Sequence, residues 1–195
     1  MELMPLATFA FVTSITPGPN NIMLAASGIG FGFARTVPHI VGVSVGFAVL
    51  ALLCALGVGA LIVAMPVAYL ALKVFGSAYL LVYAWRLRGL SFDASAQVDA
   101  APMSIPAAAL FQFVNPKAWV MGVTSAAAFM PATQAMAPSA LLLSGVYAAV
   151  NLPCIAAWAG LGALLRRSLE NPLLRNAFSM TLVVLTIYSA FAIWL

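Results

Sequence analysis

Long uncharged stretches make up most of the chain, and short polar or proline-containing interruptions divide them into six segments. A helix needs about 20 apolar residues to cross a bilayer, and each segment is near that length or longer. The pattern predicts six transmembrane helices, at residues 4–27, 38–64, 67–85, 104–130, 139–165 and 176–195. The predicted fold is therefore an all-α polytopic membrane protein with a single six-helix transmembrane domain over 1–195.

The composition supports a membrane setting. Hydrophobic residues make up 65% of the chain, charged residues only 6%, and the mean hydropathy is +1.11. A soluble domain carries about 25% charged residues, so these few charges could not cover a soluble surface. The net charge of +4 is spread among apolar segments and forms no phosphate-binding stripe, which excludes a nucleic-acid partner. The expected surroundings are the lipid bilayer.

The basic residues predict an orientation. Lys and Arg are retained in cytoplasmic loops, and six arginines fall in three alternate connections, at Arg35, Arg86, Arg88, Arg166, Arg167 and Arg175. The other connections and both chain ends have no Lys or Arg. We expect a multi-pass protein of the bacterial inner membrane with both termini on the periplasmic side. Only Glu2 is charged before the first segment, so we expect that segment to remain as a helix rather than be cleaved as a signal peptide.

Matching landmarks in the two halves indicate an internal repeat. Pro17 and Pro116 are 99 residues apart and interrupt the first and fourth segments, and Cys54 and Cys154 are 100 apart in the second and fifth. We predict two three-helix halves, 1–88 and 104–195. Because three is an odd number, the halves would insert with opposite orientations. Inverted repeats with broken helices in matching positions are typical of secondary transporters, and the breaks mark the binding site.

The sharpest local feature is the run from Thr16 to Asn21, TPGPNN. Prolines remove N–H donors and break the helical ladder. Freed carbonyls inside a bilayer need internal partners or a watery cavity. A half-helix that starts after the break would favour an anion at its N-terminus. The alternative is a plain kink, or the inner end of a short first helix.

A second break is predicted at Asn115, Pro116 and Lys117. Counted from Ser104, Lys117 lies about 20 Å along the fourth helix at 1.5 Å per residue, well inside the bilayer. A lysine there is costly and is a functional candidate. If the helix instead began near Leu110, Lys117 would reach the interface and anchor the helix.

No Asp or Glu lies in any predicted span. A cation site is therefore disfavoured, whereas a lysine beside a half-helix N-terminus suits a carboxylate. We expect an anionic or zwitterionic small molecule such as a neutral amino acid, with no cofactor and no metal. The candidate substrate-binding residues are Pro17, Gly18, Pro19, Asn20, Asn21, Gln112, Asn115, Pro116 and Lys117. If transport is coupled to protons, Lys117, His39 or the substrate must carry them.

Other polar and small residues in the spans are expected to be structural. Gln112, Thr124 and Asn151 are expected to form helix–helix hydrogen bonds. Gly42 and Gly46 have the spacing of a close helix contact. His39, at the start of the second helix, is expected at the membrane interface.

These motifs resemble the LysE/RhtB family of bacterial amino-acid exporters. PGPNN, GFGFARTVPHIVGVSVG and QFVNPKAW carry the resemblance, which extends over essentially the whole chain. It implies export of amino acids or related metabolites across the cytoplasmic membrane, driven by the proton gradient. The family's PGPN, NPK and glycine-rich motifs fall on Pro17, Gly18, Pro19, Asn20, Asn115, Pro116, Lys117, Gly32, Arg35, Gly42 and Gly46.

One position departs from the family pattern. Many members have Asp where this chain has Asn20, which puts the handling of cations or basic amino acids in doubt. TPGPNNI, QFVN and GVT are most similar to the branch that exports cysteine and O-acetylserine.

The sequence also leaves alternative functions and the oligomeric state open. A membrane thiol–disulfide carrier using Cys54 and Cys154 is the alternative function, and a passive channel is another. An enzyme is not expected, because the chain has no HExxH or GxSxG motif and a single histidine. The binding site lies either within one chain or in a homodimer.

Overall fold

The computed structural model describes residues 1–88, 101–131, 135–166, 168, 171–192 and 194. The predicted connection over 89–100 and Arg167 lie outside the described residues.

The regular secondary structure of the described residues is helical and includes no strand, which confirms the all-α prediction for this part of the chain. The helices are α1 (Leu3–Ile15), α2 (Pro19–Phe31), α3 (Phe33–Ala55), α4 (Val58–Ala64), α5 (Pro66–Arg88), α6 (Ile105–Phe111), α7 (Pro116–Phe129), α8 (Met136–Leu165) and α9 (Pro172–Ala192). Three stretches are long and apolar enough to span a bilayer: Phe33–Ala55, Pro66–Trp85 and Met136–Leu165. Shorter apolar helices accompany them, so the chain is a multi-pass membrane protein.

Both predicted breaks are confirmed. The backbone is non-helical between α1 and α2, and a short 3-10 turn, Gln112–Val114, with Asn115 separates α6 from α7. Each new half-helix starts with a proline, whose missing N–H would have no intrahelical partner there. α1 ends at Ile15, and after the break the chain continues as a second helix of 13 residues, α2. The fourth helix begins at Ile105 rather than near Leu110.

The second helix differs from its prediction at two places. It starts at Phe33, and Pro38 lies inside it rather than at its beginning. Gly32 has φ +78° and turns the chain from α2 directly into α3, so no loop separates them. Gly57, with φ +98°, breaks the same segment again, so that α4 is a separate short helix. Glycine adopts this left-handed backbone at little cost.

Helix ends elsewhere lie a few residues from their predicted positions. α8 begins at Met136 rather than 139, and α9 begins at Pro172 rather than 176. Arg175 and Arg35 therefore lie in the first turns of α9 and α3, and Arg86 and Arg88 lie in the last turn of α5. These four arginines, predicted in loops, are at helix ends instead.

α3 and α8 form the centre of the bundle and pack along each other. α1 and α2 pack mainly on α8, α6 and α7 pack on α3, and α5 pairs with α9 at one side. The rings of Phe47 and Tyr147 meet edge to face between α3 and α8, with centroids 5.0 Å apart. The Tyr147 hydroxyl is paired with Ser125 of α7, so this buried tyrosine has a polar partner.

Glycines let several helix pairs approach to backbone contact. A Cβ on Gly28 would lie 2.1 Å from the Ala159 carbonyl oxygen, and one on Gly162 would lie 2.1 Å from that of Ala25. Such small-residue contacts are the usual means of helix association in a bilayer. The predicted contact at Gly42 and Gly46 is confirmed, because a Cβ at either position would collide with the α6 backbone.

Replacing Gly28 with Ala should destabilise the protein by about 1–3 kcal/mol, because the obstacle is backbone and cannot rotate away. Gly145→Ala is the matched control, since no atom lies within 4 Å of the added Cβ. Thermal unfolding of the purified protein in detergent measures both. A Gly28→Ala variant as stable as Gly145→Ala would contradict the tight α2–α8 contact.

Candidate substrate-binding site

The broken end of α1 is covered by side chains from α2, α7 and α8. From α8, the Trp158 Nε1 donates to the Ile15 carbonyl at 3.0 Å. The Lys117 Nζ donates to the carbonyl oxygens of Thr16 at 2.8 Å and Pro17 at 3.3 Å, and contacts the Thr16 hydroxyl at 3.1 Å. Asn21 Nδ2 donates to the carbonyls of Ser14 and Thr16, both at 2.8 Å. Free carbonyls at a helix C-terminus need such donors, and an ammonium also matches the negative end of the helix dipole.

Gly18 makes room for the lysine. A Cβ at this position would lie 2.6 Å from Lys117 Cδ and 2.9 Å from Nζ. Lys117 is the second residue of α7, directly after the break, and it is half-buried. The two breaks predicted from sequence therefore meet in space, through the glycine of one and the lysine of the other.

Asn20 and Gln112 join the two breaks a second time. Asn20 Nδ2 donates to Gln112 Oε1 at 2.8 Å, and Gln112 Nε2 donates back to Asn20 Oδ1 at 3.1 Å. Gln112 Nε2 also donates to the Ala108 carbonyl at 2.9 Å, and the Gln112 side chain is fully buried. The helix–helix hydrogen bond expected of Gln112 is present.

Asn115 shapes the start of α7. Its side-chain oxygen accepts from the backbone N–H of Lys117 at 3.2 Å, as a helix N-cap does. The N-termini of α2 and α7 both lie at the breaks, and their positive dipole ends add to the Lys117 charge. This combination attracts an anion.

A cavity of about 770 Å³ opens beside the breaks and is called the outer cavity below. Its walls come from the α1–α2 break and from α4, α5, α7 and α9. Most of the lining is apolar, and the polar groups are contributed by Tyr69, Lys73, Lys117, Thr124, Tyr188 and Ser189. No Asp or Glu is among the described residues of its wall, so its charge is positive.

Lys73, on α5, also lines the outer cavity. Its ammonium is 5.0 Å from the centre of the Tyr69 ring and 5.6 Å from that of Trp194. Aromatic faces attract a cation at such distances. This lysine is therefore held by two rings, whereas Lys117 is held by carbonyls.

Lys117 also borders a much smaller space of about 20 Å³, the inner cavity. Gly18 and Lys117 line both cavities. The inner wall is rich in polar side chains, namely Thr13, Ser14, Asn20, Asn21, Asn115, Lys117 and Asn151. Asn151 Nδ2 donates to Ser14 Oγ at 3.1 Å, but Asn151 Oδ1 is buried and has no hydrogen-bond partner in the described part of the chain. A buried acceptor without a partner costs about 1–3 kcal/mol.

Comparisons with known proteins identify the family of the chain. The model of the LysE type translocator family matches residues 11–194. The chain belongs to the LysE family. Its members are translocators, so the chain is a membrane transport protein.

This LysE-family chain is similar to curated proteins that are named cysteine/O-acetylserine efflux protein. The chain is 37% identical over 130 residues to those of Escherichia coli K12 and Shigella flexneri, and 36% identical over 130 residues to that of Escherichia coli O1:K1. The matched region covers 66% of this chain and 66% of each relative, just under two thirds of their length. No solved structure matches the chain.

Some groups in the LysE-family chain lie away from the two cavities. His39 is 2% exposed and therefore buried within the protein, and its place at the membrane interface stays a prediction. Gln112, although predicted to bind substrate, is absent from the walls of both cavities. Cys54 and Cys154 are buried free thiols, and Cys54 packs where Gly59 and Gly122 leave space. Membership of a translocator family does not favour the thiol–disulfide carrier.

Sequence reasoning missed most of the outer cavity. Tyr69, Tyr188 and Ser189 gave no signal, because aromatic and small polar residues are common on membrane helices. Thr124 lines this cavity, whereas a helix–helix hydrogen bond was expected. The inner cavity is lined by Asn20, Asn21, Asn115 and Lys117, which the sequence predicts as substrate-binding residues, and by Asn151, for which only a helix–helix hydrogen bond is expected.

A double-mutant cycle on Asn20→Ala and Gln112→Ala should give a coupling energy of about 0.6 kcal/mol and at most about 1.7 kcal/mol, the range of hydrogen bonds between membrane helices. Reversible unfolding of the purified protein measures it. Asn20→Ala combined with Ser144→Ala is the control, because Ser144 donates to the Ala48 carbonyl instead. Equal coupling in both cycles would contradict the amide pair.

Proposed function

We propose that this chain is a secondary active transporter that exports neutral amino acids or related metabolites, such as cysteine or O-acetylserine, across the bacterial cytoplasmic membrane. Membership of the LysE family and the names of its relatives support this function. The single observation that carries the proposal is Lys117. It stands where two broken helices meet, between two cavities whose described walls contain no acid.

In the proposed complex, the substrate carboxylate replaces one or more of the backbone carbonyls that accept hydrogen bonds from the Lys117 ammonium. It also faces the N-termini of α2 and α7. Gly18, with Pro17, Pro19 and Pro116, forms the wall at this point. Asn115 orients the start of α7. Asn20, Asn21 and Gln112 hold the breaks in shape through their amide hydrogen bonds. The substrate side chain extends into the outer cavity.

We propose six spans arranged as two inverted repeats, 1–88 and 104–195, that together form one domain. α1 with α2, α3 with α4, α5, α6 with α7, α8 and α9 are the six spans. Supporting this, α2 packs on α8 as α7 packs on α3, and α1 packs on α8 as α6 packs on α3. Phe47 and Tyr147, 100 positions apart, contact each other as residues beside a two-fold axis would.

The proposed orientation places both termini in the periplasm and the arginine-bearing helix ends in the cytoplasm. The outer cavity is lined by α4, the start of α5 and the end of α9, all near the periplasmic side in this orientation. The state described is then outward-facing, and the tight contacts at Gly28, Gly42 and Gly162 close the cytoplasmic side. Rocking of one half against the other would give alternating access.

We further propose that the proton gradient drives export. Because no acid lines the described walls, the carriers of the proton are Lys117, His39 or the substrate itself. One site lies between the two halves of each chain, so a homodimer would contain two complete sites.

Lys117→Ala should abolish export, because it removes the positive charge at the meeting point of the breaks. Efflux of cysteine and O-acetylserine from loaded cells, with and without an uncoupler, measures this. Thr181→Ala is the control; Thr181 is exposed on α9 and bonds only to the Ala177 carbonyl of its own helix. Uncoupler-sensitive efflux that survives Lys117→Ala would remove the lysine from the site, and efflux insensitive to the uncoupler would indicate a passive channel.

The orientation predicts the behaviour of reporter fusions. Alkaline phosphatase fused to the C-terminus should be active, since it folds only in the periplasm, whereas a fusion directly after Arg88 should be inactive. Green fluorescent protein at the same two positions should give the reciprocal result. The opposite pattern would reverse the topology and make the described state inward-facing.

A further inference from the structure

The inner cavity contains an acceptor that nothing in the described chain satisfies. Three buried side-chain atoms of the described residues have no partner, two on His39 and one on Asn151, and only Asn151 lines a cavity. Asn151 is 5% exposed and lies on α8, in the middle of the bundle. Its free atom is the side-chain oxygen Oδ1.

Several other side-chain groups of the inner wall have partners. Asn151 Nδ2 is bonded to Ser14 Oγ, and Asn21 Nδ2 is bonded to two carbonyls of the α1 end. Asn20 is paired with Gln112, and the Asn115 side-chain oxygen accepts from the Lys117 N–H. Among the described residues of this wall, the fully buried atom without a partner is an acceptor, so a group that donates a hydrogen bond fits it.

The size of the inner cavity limits what this donor can be. A space of about 20 Å³ holds one group the size of a water molecule. A primary ammonium has this size and donates three hydrogen bonds, whereas an amino-acid side chain or a guanidinium is too large. Lys117 lines the same cavity, so a carboxylate held there brings the ammonium on the neighbouring carbon within reach.

We propose that the inner cavity receives the α-ammonium group of the substrate, with Asn151 Oδ1 as its acceptor, and that Asn151 distinguishes α-amino acids from carboxylates without an amino group. This assignment rests on the proposed export of amino acids. The carboxylate lies at Lys117, the ammonium lies in the inner cavity, and the side chain extends into the outer cavity. Asn151 sets the class of substrate, and the outer cavity accommodates different side chains.

Equilibrium binding of cysteine and of 3-mercaptopropionate to the purified full-length protein tests the proposal. The two ligands share a thiol and a carboxylate, and only cysteine has an ammonium. The wild type should prefer cysteine by about 10- to 100-fold, the contribution of a hydrogen bond to a charged group. Asn151→Leu should raise the Kd of cysteine to that of the analogue and leave the Kd of the analogue unchanged.

Two variants separate recognition from folding. Asn151→Asp keeps an acceptor oxygen at the same place, so it should retain the preference for cysteine even if Asn151→Leu does not fold. Ser144→Ala removes another hydrogen bond of α8, outside both cavities, and should also retain the preference.

Other results would overturn the assignment. A wild type that binds both ligands equally would refute the role of the inner cavity and leave the exporter intact. If Asn151→Leu raised the Kd of both ligands by the same factor, the role of Asn151 would be structural and not one of recognition. Loss of the preference in Asn151→Asp would also refute the acceptor role. A wild type that binds neither cysteine nor O-acetylserine would remove the proposed function and this inference together.

Discussion

The structure depends on supplying hydrogen-bond donors to the free carbonyls of a helix that is broken inside a bilayer. Where α1 ends, four consecutive carbonyls, from Ser14 to Pro17, leave the helical ladder, and no lipid group can bond to them. Each has a donor: Asn21 from α2, Trp158 from α8 and Lys117 from α7. The break therefore ties together helices from both ends of the sequence. The same carbonyls keep a lysine inside the protein without any acidic partner in the described residues.

Much of this arrangement was predictable, because prolines within apolar stretches leave a clear signal. The breaks at Pro17 and Pro116, the all-helical fold and the close packing of Gly42 and Gly46 follow from residue type and spacing alone. The start of α3 was not predictable. It depends on the left-handed backbone of Gly32, and the sequence does not distinguish this glycine from those inside helices.

The candidate site was predicted in part. Residue chemistry identified the motifs, but their contacts depend on how the helices pack. Asn21 and Gln112 were expected to meet the substrate, yet their amides are engaged with Ser14, Thr16, Asn20 and Ala108. The inner cavity combines side chains of α1, α2, α3, α7 and α8, so its size could not be read from any one segment. Only the packed structure shows that a single lysine faces two spaces of very different volume.

That difference in volume decides from which space a small molecule can reach the lysine. Gly18 and Lys117 line both a space of about 20 Å³ and one of about 770 Å³. The smaller space holds about one water molecule, whereas the larger one has room for a whole amino acid. In the state described, a molecule of that size therefore approaches Lys117 from the outer cavity, and the inner cavity admits a single small group of it.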